Sequence, residues 1–390
     1  MTSLPPPAIS MSLGSKEEMK MKKQIISIAS IVLGGIILLA GCQKDGTTSK
    51  AGSLVKFTAG LKPATRTAYS VQVSDYFERI DWVKKDEILI WSDFAALETD
   101  ANVHSAEYLI DVITTPNERE SKATVKNKDG NGLAFVSGKD TYQFWATSPM
   151  VSGNPTTGSV SYTIPALQSL PTSLSASTAD HVTTFPADMS NAWLLAAVKD
   201  APAGQPVTLY FYPGFTAFEV TLAADKEYED EITVSKVELI SDSGLAGSVT
   251  ATLAPDTRVN NVTNGEETKA HTIGASTYAC TSAGNVAYEL PANTVVSAAE
   301  SISLTIFALP QNIAGLKLKF YVTADGEETT FTGALKKNGN PINFGMCEKH
   351  RIKGVALPGN VWKIYYKPGI VTADEWIEAG EAQTTNLIVE

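Results

Sequence analysis

Beyond residue 53 the apolar positions of this 390-residue chain recur at every second residue. They fall in short runs rich in Val, Ile, Thr, Tyr and Phe, and almost nowhere do they recur at a helical period. Period two marks strands with one buried face, so the pattern predicts an all-β protein. Strands are predicted over Leu54 to Thr58, Glu87 to Trp91, Ser105 to Ile113, Thr141 to Ala146, Val207 to Tyr212, Phe218 to Leu222, Val234 to Ile240, Ser301 to Leu309, Leu316 to Thr323 and Val361 to Tyr366. Asp129-Gly130, Asn131-Gly132, Asn264-Gly265, Asp325-Gly326 and Asn338-Gly339 accept the positive φ of tight hairpins. The spacing fits two consecutive antiparallel β-sandwiches. Pro202, Gly204 and Pro206 in "VKDAPAGQP" interrupt strand pairing and set a boundary near residue 200, giving domains over 54–200 and 201–390. The Ser-, Thr- and Pro-rich stretch "QSLPTSLSASTAD" reads as an exposed loop just before it. No repeat of roughly 20–50 residues points to a solenoid or propeller.

The first 41 residues follow another plan. Lys20, Lys22 and Lys23 precede an apolar run of 16 residues, Ile25 to Ala40, which ends in the small pair Ala40-Gly41 before Cys42. This is the tripartite layout of an export signal, and the run is short of the roughly 20 residues of a bilayer-spanning helix. Leu39-Ala40-Gly41-Cys42 resembles the bacterial lipobox, in which Cys42 receives a diacylglycerol thioether and becomes the new N-terminus. Stable anchoring takes more than one acyl chain, at about 0.8 kcal/mol per buried methylene, and palmitate-type chains on Cys42 supply it. The Pro5-Pro6-Pro7 segment has no part in such a signal, which starts naturally at Met19 or Met21. Residues 1–41 are therefore set apart as signal peptide with a non-native extension, and 42–53 as a lipidated spacer. Gln43 after the cysteine fits onward transport to the outer membrane.

Removing residues 1–42 leaves 27 basic and 40 acidic residues, a net charge of −13. Such a chain repels nucleic acid, which is excluded as a partner. His104, His181, His271 and His350 stand far apart, with no second ligand at metal-binding spacing. There is no Gly-x-Ser-x-Gly elbow and no phosphate-binding glycine loop, so the expectation is a non-enzyme without cofactor or metal. "NKDGNG", Asn127 to Gly132, has the oxygen spacing of a calcium loop but Gly138 at its twelfth place, and reads as a hairpin turn. Cys280 and Cys347, 67 positions apart, could pair in an oxidising envelope or stay free thiols. Trp82, Trp91, Trp145, Trp193 and Trp362 lie in apolar runs and are expected in the core, whereas Trp376 has polar neighbours.

Several stretches, in order, resemble the fimbrillin family of bacterial outer-membrane fimbrial lipoproteins. They are "VKFTAGLKPATRTA" and "RIDWVKKDEILIW" after the lipobox, then "FYPGFTAFEVTL", then "IFALPQNIAGLKLKFYVTADG" and "FGMCEKHRIKGV". The resemblance implies two transthyretin-like sandwiches, a structural or accessory role at the fimbrium (anchor or tip), and adhesion. It also implies cleavage by an arginine-specific protease after the first strand, at Arg66. Cutting there releases the lipid with that strand and leaves a groove for a strand of another fimbrial subunit. "VWKIYY" and "TNLIVE" have the apolar character of a donor. Arg66 reads equally well as an ordinary turn residue in a subunit that keeps its lipid as an anchor. Partners are then other fimbrial subunits, the outer membrane, and host or bacterial surface ligands. The competing function is a glycan-binding surface lipoprotein of a nutrient-uptake system, which requires exposed, coplanar aromatic rings.

Overall fold

The computed structural model describes residues 52–61, 71–74, 77–79, 82–117, 120–151, 158–255, 259–263, 266–270, 276–324, 326–358, 361–367 and 377–385. Apart from one 3-10 turn at Met189–Asn191, the regular structure among them is all strand. The principal strands of the first half are β1 (Phe57–Leu61), β2 (Glu87–Ser92), β3 (Ser105–Asn117), β4 (Glu120–Asn127), β5 (Thr141–Ser148), β6 (Ser159–Ile164), β7 (Leu167–Ser169), β8 (Val182–Phe185), β9 (Leu194–Pro202) and β10 (Val207–Pro213). Those of the second half are β11 (Thr216–Ala224), β12 (Ile232–Ile240), β13 (Ala246–Thr252), β14 (Thr277–Gly284), β15 (Val286–Glu289), β16 (Ser301–Ala308), β17 (Lys317–Ala324), β18 (Glu327–Ala334), β19 (Lys349–Leu357), β20 (Val361–Lys367) and β21 (Ile377–Thr385).

Strands β1, β10, β9, β5, β2, β3 and β4 pair in that order and close into a barrel. A separate sheet of β6, β13 and β14 covers it, turning Val160, Tyr162, Ile164, Val249 and Ala251 onto the same core. The remaining long strands pair in the order β7-β15-β12-β17-β18-β21-β20-β19-β11-β16-β8. This sheet folds over on β21, whose first part pairs with β20 and whose last three residues, Gln383 to Thr385, pair with β18. Phe320 and Phe331 from one layer meet Trp362 from the other, with ring centroids 4.4 and 5.7 Å apart. Most ladders are antiparallel as expected. The pairs β1 with β10, β7 with β15, β8 with β16 and β11 with β19 run parallel.

The two cores share a wall. Along β11, Ala217 faces the barrel core and Phe218 the second core, and along β16 the same alternation divides Phe307 from Ile306. A strand buried on both faces must be apolar at successive positions, which is why Ile306 to Leu309 departs from period two. The chain passes from one core to the other at Pro213 to Thr216. "VKDAPAGQP" is the turn between β9 and β10, both barrel strands, and β9 absorbs its irregular composition through a bulge between Val198 and Ala201.

"QSLPTSLSASTAD" is only partly the exposed loop its composition suggests. Gln168 is 4% exposed, and its Nε2 donates to the Phe307 carbonyl at 2.8 Å while its Oε1 accepts from the Phe307 amide at 3.0 Å. β8 accompanies β16 only as far as Leu304, and the Gln168 amide takes over as neighbour beyond that point. Replacing Gln168 by Leu removes the buried side-chain partner of both backbone groups of Phe307. Denaturant unfolding is expected to register a loss of about 2–4 kcal/mol, against less than 1 kcal/mol for Ser173→Ala in the same stretch.

Candidate functional site

The site is the seat of β1. Its sequence, Phe-Thr-Ala-Gly-Leu, turns Phe57, Ala59 and Leu61 into the barrel core. Parallel pairing with β10 runs from Phe57 opposite Val207 to Leu61 opposite Phe211, and antiparallel pairing with β4 runs from Thr58 opposite Thr124 to Leu61 opposite Ser121. The Phe57 ring stands edge-on to Tyr108 and Phe144, at centroid distances of 5.3 and 5.1 Å. On the outer face the Thr58 hydroxyl donates to that of Thr208 at 3.0 Å. The ladder starts before β1: the Gly52 and Val55 amides donate to the Phe135 and Leu133 carbonyls at 3.0 and 2.8 Å, and the Val207 amide donates to the Lys56 carbonyl at 2.9 Å.

The strand predicted over Leu54 to Thr58 thus lies three residues further on. Gly60 hid its end, because a glycine in an exposed position weakens a strand. Here the Tyr210 ring lies over Gly60, and a Cβ added there would come within 2.8 Å of it. The aromatic ring takes the place of the missing side chain.

Tyr108, beneath Phe57, has its hydroxyl accepting from the Leu133 amide at 2.9 Å, and burial pushes the phenol up to about 12. At the far end of β1, Trp82 packs edge-on against Phe211 at 5.0 Å and its amide donates to the Ser121 hydroxyl at 3.4 Å. β1 is therefore keyed into aromatic side chains from β3, β5 and β10 rather than laid on the surface.

Cys42 and Arg66, the residues expected to carry lipid and to be cut, lie outside the described residues. Of the two expected donor segments, "VWKIYY" is β20. Its Trp362, Ile364 and Tyr366 are buried in the second core between β19 and β21, so it is a fixed internal strand. Its apolar alternation was read correctly, but a core strand and a donor strand share that pattern. In "TNLIVE", residues 386–390 lie outside the described residues.

Other candidate chemistry is dispersed. His104 Nδ1 lies 2.9 Å from the Ala95 carbonyl, His350 Nε2 lies 3.0 Å from the Gly345 carbonyl, and His181 sits in a turn at φ 63°. His271 is outside the described residues, and among those described no cluster of three or more His, Cys, Asp or Glu could hold a metal ion. No disulfide joins Cys280 and Cys347; Cys280 is half-buried and its thiol is pushed up by desolvation. Trp82, Trp91, Trp145 and Trp362 are in the core, and Trp193 stacks on Tyr162 at 5.1 Å. The four core rings are covered and offer no open platform for a glycan, Trp193 is partly exposed, and Trp376 lies outside the described residues.

Two substitutions check the seat of β1. Phe57→Ala should cost about 3–5 kcal/mol in urea unfolding. Gly60→Ala should cost about 1–3 kcal/mol, and less than half of that in a Tyr210→Ala background, where the added methyl has room.

No family model and no curated protein matches the sequence. Among solved structures the chain is similar to a candidate cell adhesion protein from Bacteroides ovatus, at 16% identity and a TM-score of 0.44 over 87% of this chain and 99% of that one. It is also similar to a fimbrial assembly protein from Parabacteroides distasonis, at 10% identity and a TM-score of 0.35 over 83% and 99% of the two chains. A third is a C-terminally truncated form of the tip fimbrial protein Mfa3 from Porphyromonas gingivalis, at 9% identity and a TM-score of 0.36 over 81% and 99%. Identities and scores of this size carry no functional conclusion by themselves.

Proposed function

We propose that this chain is a non-enzymatic, two-domain subunit of fimbriae or a similar adhesive fibre, held at the outer membrane by acyl chains on Cys42 and joined to neighbouring subunits by strand addition. The observation that carries the reading is the position of β1. The strand nearest the lipidated cysteine closes the barrel, and a cut at Arg66 would free it from everything downstream. Its departure would open the ladder between β4 and β10 and bare a groove floored by Tyr108 and Phe144. Unpaired amides and carbonyls beside an apolar floor are the requirements for binding an extended strand from another molecule. Uncut, the same chain is an anchor or tip subunit; cut, it is an acceptor for the next subunit. The motif order "VKFTAGLKPATRTA", "FYPGFTAFEVTL" and "FGMCEKHRIKGV" supports the same reading.

Treating the mature chain with an arginine-specific protease tests it. The expected result is one early cut after Arg66, followed by an oligomer ladder that an excess of a peptide spanning residues 52–62 suppresses. Arg66→Ala should stay monomeric. The groove has its own optical signature: with Phe57 gone, water reaches Tyr108, and its ionisation should move down from about 12 toward the ordinary tyrosine value near 10 in an alkaline absorbance titration. A cut chain that has lost β1 yet remains monomeric at high concentration would overturn the proposal.

A further inference from the structure

The strand that opens the first core and the strand that leaves it are neighbours running in the same direction. β1 lies parallel to β10 over five residue pairs, and β10 leads through Pro213, Gly214 and Phe215 directly into β11, the shared wall. From this arrangement we infer a load-bearing function: the pairing of β1 with β10 is a shear clamp that holds the first core against tension between the N-terminal end of the chain and the second core.

The argument is one of direction. Tension draws β1 toward its N-terminal end and β10 toward its C-terminal end. In a parallel pair these pulls are opposed along the strand axis, so all the hydrogen bonds between the two strands bear the load together. Had the two strands been antiparallel, the pulled ends would lie side by side and the ladder would open one bond at a time. Sliding β1 also drags Phe57 out from between Tyr108 and Phe144 and breaks the second ladder, to β4.

The second core also has a parallel pair at its entry strand. β11, the strand through which load enters it, runs parallel to β19 over eight pairs, Ala217 opposite Lys349 to Ala224 opposite Ala356. Charges tie these two strands on the face that Ala217 shares: Lys349 Nζ lies 2.5 Å and Arg351 Nε 3.5 Å from the Glu219 carboxylate, with the Lys349 side chain only 6% exposed. Load entering at β11 leaves the second core through β21 rather than β19, so this ladder fixes β11 in its sheet and the shear argument applies to β1 and β10.

The inference rests on strand topology alone. Only the source of the tension, a lipid tether at one end and a fibre at the other, belongs to the function proposed above. The test compares two pulling directions on the uncut mature chain in optical tweezers. In the first, handles sit ahead of Gly52 and at the C-terminus, loading β1 against β10 in shear. In the second, the C-terminal handle moves to Gln205→Cys, in a Cys280→Ser background. Gln205 is an exposed turn residue just ahead of β10, so both strands are then pulled from the same end. The expected result is that β1 leaves β10 in one step, at several-fold higher force in the first geometry. Equal rupture forces in the two geometries, or gradual yielding in the first, would overturn the clamp. Either outcome is independent of whether the cut chain polymerises.

Discussion

A closed barrel has no spare edge, and in this protein closure depends on five residues at the beginning of the described chain. β1 satisfies the inner edges of β4 and β10 at once and inserts Phe57, Ala59 and Leu61 into the core between them. An edge strand can fray at the expense of one ladder, but β1 can leave only by breaking two and uncovering apolar surface. A backbone amide or carbonyl left unpaired away from water costs about 1–3 kcal/mol, so the empty seat is an unfavourable state that favours whatever strand refills it. The stability of the barrel and the strand addition proposed above would therefore be two consequences of one constraint.

The same economy joins the two halves. β11 and β16 present alternate residues to both cores, so neither hydrophobic cluster is complete without the other. Segments cross in both directions: β7 and β8, from the first half, pair with β15 and β16, while β13 and β14, from the second, cover the barrel. Gln168 joins one of these crossings to the wall through both polar groups of Phe307. Buried amides of this kind hold position because every alternative leaves a donor or acceptor unsatisfied. The halves are thereby fastened by covered contacts rather than by a solvent-filled hinge between them.

How much of this the sequence discloses follows from what period two encodes. Alternation reports that a strand has an inside and an outside, and the strands containing Trp91, Phe144, Leu209 and Leu318 were legible on that ground. It does not report direction, so the parallel course of β1 and β10 was invisible. It also does not report what covers the second face. Leu304 to Leu309 read as a strand, but its place between two cores did not. Gly60 and Gln168 misled for opposite reasons, one because a ring from the next strand substitutes for its side chain, the other because it stands in a stretch whose composition is that of a loop. At the site, the apolar character of β1 was legible and its register was not, while "VWKIYY" shows that a strand fit to be donated has the same pattern as one that is not available.

Removal and tension make different demands on β1, and the parallel ladder reconciles them. A bond cut at the C-terminal side of the strand, where Arg66 lies in sequence, would remove the covalent link between β1 and the rest of the chain and leave the strand held only by its two ladders and its apolar contacts. A replacement strand entering in the direction of β1 would again lie parallel to β10, and tension transmitted from the neighbouring molecule would again act in shear. A strand entering the opposite way would satisfy the same hydrogen-bonding groups and fill the same apolar floor, yet would peel from one end. Under the strand addition proposed above, the orientation of the incoming strand, more than its sequence, would decide whether a joint between two molecules is as strong as the barrel it completes.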